Sequence, residues 1–174
     1  MTSKDRVLVA YGTKHGATEG IAKAIAEALR AALEVDLQRA RRVRSVEPYR
    51  AVVLGSAVYA GRWRADALRL LRRSGLRERD VWLFSSGPVG ESRGDPEQLE
   101  RFTRPKRVQQ IAADIGAHEH VVFGGMVAED ARFIRKKMAA KISPELRDLR
   151  DWGAIGTWAK AIAATLAERP VAAR

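Results

Sequence analysis

The spacing of apolar residues changes period repeatedly along the chain. Residues 6–11 (RVLVAY) form a short apolar run that stops at Gly12, the mark of a buried strand. From Thr18 the pattern becomes helical. Ile21, Ile25, Leu29 and Leu33 recur at one-turn spacing, with Glu19, Lys23, Glu27 and Arg30 on the opposite side. Glu34–Arg39 predicts a second strand, residues 51–57 (AVVLGSA) a third, Asp80–Ser86 a fourth and residues 119–124 a fifth. Helices are predicted over 66–73, 106–115 and 128–141, and from Asp151-Trp152 to just before Pro170, with a break at Ser143-Pro144. Asp95-Pro96-Glu97 opens a further short helix inside the Gly-, Pro- and charge-rich stretch 87–105.

Short apolar strands alternating with helices imply an α/β domain whose parallel sheet is covered on both faces. At 174 residues, the whole span 1–174 reads as a single domain. Such sheets bind ligands outside the carboxyl ends of their strands, which directs attention to three loops.

Composition narrows the chemistry. There is no cysteine, which excludes disulfides, cysteine-ligated clusters and a thiol nucleophile, so redox chemistry needs a bound cofactor. No Gly-x-Ser-x-Gly elbow offers an acyl-transfer nucleophile. His118 and His120 share a predicted strand face but lack a third ligand; they read as solvent-facing, and no metal site is predicted. No stretch approaches the ~20 apolar residues that span a bilayer, and the expected location is the cytoplasm.

The first loop is Gly12-Thr13-Lys14-His15-Gly16-Ala17-Thr18, between a strand and the helix it feeds. Unpaired backbone N–H groups at a helix start form an anion cradle, Thr13 and Thr18 add hydroxyls, and Gly16 permits close backbone approach. Its glycine spacing fits neither the nucleotide P-loop nor the dinucleotide fingerprint. The second loop, Gly55-Ser56-Ala57-Val58-Tyr59-Ala60-Gly61-Arg62-Trp63, follows the third strand and carries two aromatics. A third, Ser85-Ser86-Gly87-Pro88-Val89-Gly90, follows the fourth strand and offers main-chain donors in an open turn.

Tyr11 to Glu19 resembles the phosphate-binding loop of flavodoxins, with His15 where those proteins usually place threonine. The loop is closer to the flavodoxin-like branch that includes the menaquinone-dependent protoporphyrinogen dehydrogenases. Phe123-Gly124-Gly125 and Leu149-Arg150-Asp151-Trp152, followed by Ile155, Trp158 and Ala159, resemble that branch's tail. By helical spacing alone, this last stripe is a core face.

The resemblance implies a flavodoxin-like three-layer sandwich whose five-stranded parallel sheet has the order 2-1-3-4-5. It also implies noncovalently bound FMN. The first loop would hold the phosphate, with His15 either adding a donor or flanking the ring. Tyr59 or Trp63 in the second loop would stack on the isoalloxazine, and the third loop would meet the pyrimidine edge. The implied activity is oxidation of a porphyrinogen-like substrate, with electrons passing through flavin to a quinone-type acceptor. An electron-transfer protein without its own substrate is the alternative.

Charge bears on that choice. The formal net charge is +11, and the excess is concentrated in residues 1–80. Flavodoxin carriers are typically acidic, so this balance favours an anionic substrate or surface. Arg62, Arg64, Arg101 and Arg104 flank the expected flavin edge, where forked guanidinium contacts suit a dicarboxylate such as a porphyrin. The basic segment 128–141, with Phe133, Ile134 and Met138, suggests peripheral contact with an anionic membrane. A nucleic-acid-binding protein is a weaker reading, because no base-reading helix can be singled out.

Overall fold

The computed structural model describes residues 6–87, 100, 102–126 and 147–169. The expected short helix at Asp95, the segment 128–141, the Ser143-Pro144 break, and the site residues Pro88, Val89, Gly90 and Arg101 lie outside them.

β1 (Arg6–Gly12) leads to α1 (Ala17–Arg30), then β2 (Glu34–Arg39), β3 (Ala51–Tyr59), the two-residue β4 (Arg62–Trp63) and α2 (Ala65–Leu71). β5 (Asp80–Ser86), α3 (Lys106–Asp114), β6 (Glu119–Phe123) and α4 (Trp152–Glu168) complete the described strands and α-helices, with short 3-10 turns at Ala40–Arg42 and Ser74–Glu78. The sheet order is β2-β1-β3-β5-β6, all parallel, and β4 pairs antiparallel with β3. Setting aside β4, which the sequence pattern is too short to reveal, the five long strands run 2-1-3-4-5 as expected.

Strict alternation along β1 builds both faces of the sheet. Val7, Val9 and Tyr11 pack with Ile21, Ile25 and Leu29 of α1 and with Ile155, Ile162 and Leu166 of α4. Leu8 and Ala10 face Leu70 and Leu71 of α2 and Val108 of α3. Burying each such Leu or Ile contributes roughly 1.5–3 kcal/mol, and no residue of β1 from Val7 to Gly12 is exposed. Ile155 and Ala159 are fully buried, as their spacing predicts. Trp158 packs on Phe84 and Phe123, and its indole N–H donates to Glu119 at 2.7 Å.

Two glycines are fixed by what lies against them. A Cβ on Gly55, in mid-strand, would sit 2.0 Å from the Phe84 ring. One on Gly124 would sit 1.9 Å from the Leu149 carbonyl oxygen, where the segment before α4 returns to the sheet and Met126 bridges Asp148. Asp151 then caps α4 by accepting from the Ala154 N–H at 2.9 Å.

Candidate functional site

At the carboxyl end of β1 the chain turns through Gly16, whose φ of 90° is left-handed backbone that suits glycine. The Gly16 N–H donates to Thr13 Oγ1 at 3.0 Å, which closes the loop on itself. α1 therefore starts without a side-chain cap, and nothing lies within 4 Å of where a Gly16 Cβ would point. Thr18, in the first turn, is fully buried, and its Oγ1 has no hydrogen-bond partner among the described residues. An unsatisfied buried hydroxyl is costly in a finished structure. Here it stands beside the unpaired N–H groups of a helix start, a donor set suited to a phosphate. Lys14 is exposed, whereas His15 is half-buried and meets Tyr59 edge-on, centroids 6.2 Å apart.

The second expected loop is a tight hairpin. Ala57 and Val58 still belong to β3; Ala60 (φ 48°) and Gly61 (φ 67°) make the turn, and Val58 and Tyr59 pair with Trp63 and Arg62. Positive φ at both turn residues matches the twist of paired strands, which is why two residues suffice. The reversal swings Trp63 inward. Trp63 is only 5 % exposed and its Nε1–H donates to Ser85 Oγ at 2.9 Å, so it does not present an open face at the rim. Tyr59 remains half-exposed at the hairpin's end. Phe102 is 54 % exposed and lies against the Gly61 backbone, a rim aromatic missed in a stretch without recognisable pattern.

The third position begins deeper than expected. Ser85 is fully buried inside β5, and its hydroxyl also shares a 2.9 Å hydrogen bond with His120 Nε2. Ser86 is nearly buried, and Gly87 (φ 133°) donates its N–H to Phe123 O at 3.0 Å while open space lies beyond its Cα. His120 is thus not solvent-facing. Burial first, and the nearby Arg104 charge second, push its pKa down to about 4, which keeps it neutral. His118 lies elsewhere, stacked on Trp82 at 4.4 Å and bonded to Asp80 at 2.6 Å, so the two histidines form no common site.

The arginines expected to act together are divided. Arg104 lies 3.4 Å from Glu100, and Arg62 is exposed on β4. Arg64 instead turns toward Arg39, Arg41 and Arg69, beside Thr13.

A family model for the flavodoxin domain matches residues 8–150. The chain belongs to the flavodoxin-domain family. Flavodoxins bind FMN, and FMN is the cofactor this flavodoxin domain takes. The buried, unpartnered Thr18 hydroxyl, the open backbone at Gly16 and the open turn at Gly87 fit that group.

Solved structures agree on the fold. Oxidised flavodoxin 2 from Bacillus cereus is 22% identical, with 92% of this chain and 99% of that one covered at a TM-score of 0.61. A Streptococcus pneumoniae flavodoxin is 16% identical, with the same coverage and score. The rubredoxin oxygen:oxidoreductase of Desulfovibrio gigas is 17% identical over 96% of this chain but 37% of its own length, again at 0.61. No curated protein sequence matches. Among the described residues, no helix is long and apolar enough to cross a membrane.

Proposed function

We propose that this flavodoxin domain is an FMN-dependent oxidoreductase of protoporphyrinogen-dehydrogenase type, oxidising an anionic reduced substrate and delivering the electrons to a quinone-type acceptor. The observation that carries this reading is the basic rim at the hairpin, where Arg62 is exposed on β4 and the Arg104 charge lies close enough to act on His120. When bound, FMN supplies the redox chemistry, and the protein supplies position and electrostatics. Thr13, Lys14, His15, Gly16, Ala17 and Thr18 hold the phosphate, with the Thr18 hydroxyl donating to it. Tyr59, with His15 against it edge-on, would cover the ring, and the backbone of Ser86 and Gly87 would offer its hydrogen-bonding groups to the flavin. Arg62 and Arg104 orient substrate carboxylates, and Phe102 shields the approach from water. Each turnover moves two electrons and two protons from the substrate to one quinone, giving the quinol.

An electron-transfer role without a substrate of its own is the second reading, favoured by exposed Phe102 beside the hairpin, an apolar spot on which a redox partner would dock. Anaerobic mixing of the FMN-loaded protein with a porphyrinogen and a soluble quinone separates the two. Steady-state quinol formation supports the enzyme, and reduction without turnover supports the carrier.

A further inference from the structure

At the carboxyl ends of β1 and β2 a cleft of about 270 Å³ opens. Tyr11 and Thr13 form its floor, Arg39 and Arg41 come from the end of β2 and the turn after it, and Arg64 and Arg69 come from the start of α2. Gly12 makes this arrangement possible: a Cβ there would sit 2.9 Å from Ala67 Cβ and 3.0 Å from Arg64 Cβ, so only glycine lets α2 ride this close. The Arg64 backbone N–H is anchored by Ser56 Oγ at 2.9 Å.

The charges in the cleft are unequally satisfied. Arg39 is held by Glu19 at 2.9 Å. The side chains of Arg41, Arg64 and Arg69 have no acceptor among the described residues, and Arg64 Nε is buried without a hydrogen-bond partner. Asp66 is the one carboxylate in the wall, and its Oδ1 accepts from the N–H of Ala67. Guanidinium groups left open around a concave site suit oxyanions, which they grip through paired N–H donors.

We propose that this cleft is a second anion site, next to the cofactor cradle and sharing Thr13 with it, which takes a doubly charged oxyanion group of a small molecule. A phosphate monoester and a pair of carboxylates share that chemistry. Ligand pockets run from roughly 300 to 1,000 Å³, so this cleft, just below that range, has room for the charged group of a small molecule. The inference goes beyond the proposed reaction and stands or falls without it.

The test is calorimetric titration of the full chain, saturated with FMN, using inorganic phosphate in one arm and glutarate in the other at constant ionic strength. Saturable binding of either probe is expected, with the better probe naming the guest as phosphate ester or dicarboxylate. Arg64→Gln and Arg69→Gln should each weaken binding about tenfold, the loss of one charge-assisted contact, while the flavin spectrum stays unchanged. Arg41→Gln, on an exposed turn, serves the same purpose if Arg64→Gln fails to fold. The proposal is overturned if neither probe saturates, if the variants bind like the parent, or if the probe displaces FMN and so reports the cofactor's own phosphate cradle. Protein that refuses FMN removes the flavin reading, yet the same titration still decides the cleft.

Discussion

The indole N–H of Trp63 donates to the Ser85 hydroxyl at 2.9 Å, tying the β3–β4 hairpin to the carboxyl end of β5 from inside the fold. Ser85→Ala leaves that N–H and His120 Nε2 without their shared partner in a buried place. Each orphaned group costs about 1–3 kcal/mol, so Ser85→Ala should destabilise the protein more than Trp63→Phe. Urea unfolding measures this. FMN affinity should be almost unchanged in Trp63→Phe and should fall in Tyr59→Ala; the reverse ranking would return Trp63 to the ring.

His120 adds a pH dependence with a definite sign. Its pKa is about 4 in the folded protein against 6.5 for an ordinary histidine, so between these values the unfolded chain binds more protons. Stability from this group is complete above pH 6.5, falls as the pH drops toward 4, and is then lost, a span of about 3 kcal/mol. Glu19 and Asp148, whose pKa values are lowered mainly by hydrogen bonds from Lys23 and Arg150, act in the same direction at lower pH. Unfolding free energies of the parent and His120→Gln, compared between pH 4 and 7, isolate the histidine: the variant's slope should be flatter there.

Thr18→Val separates cofactor binding from folding. The substitution removes a buried hydroxyl that has no partner among the described residues and keeps the side chain's shape. The FMN-free protein should therefore be as stable as the parent or more so, while FMN affinity falls about tenfold, one charge-assisted hydrogen bond. Thermal melts and flavin-fluorescence titration give the two readouts. A destabilised apoprotein with unchanged affinity would assign Thr18 to the core alone.

Gly124→Ala tests the junction between the sheet and the tail. Its new methyl meets a backbone carbonyl, which cannot swing aside as a side-chain end can. A loss of at least about 1–3 kcal/mol is expected, measured as a lowered melting temperature. Gly16→Ala, by contrast, meets no atom and is opposed only by its positive φ, so its stability cost should be smaller, about 1–2 kcal/mol.

The fold was legible because each strand is a short apolar run and α1 carries one clean stripe, so period alone separates the elements. The boundaries of β2 and β5 coincide with the pattern, and Asp151 announces the start of α4. Side-chain direction at the strand ends was not legible. Trp63 and Tyr59 both read as rim aromatics, because two positive-φ residues, one of them an alanine, conceal a hairpin that reverses the chain. His120 read as exposed because period places it on a face without revealing that Trp63 and Ser85 occupy that face. Arg62 and Arg64 read as one cluster, but β4 ends between them and α2 starts at once, which carries Arg64 to a different cleft.

The most direct test of the central claim is the visible spectrum of the purified chain before and after FMN is added, followed by gel filtration to remove free flavin. Flavin absorbance that stays with the protein at an equimolar level, and that weakens in Thr18→Val, is the predicted result. A colourless protein that does not retain added FMN would contradict it.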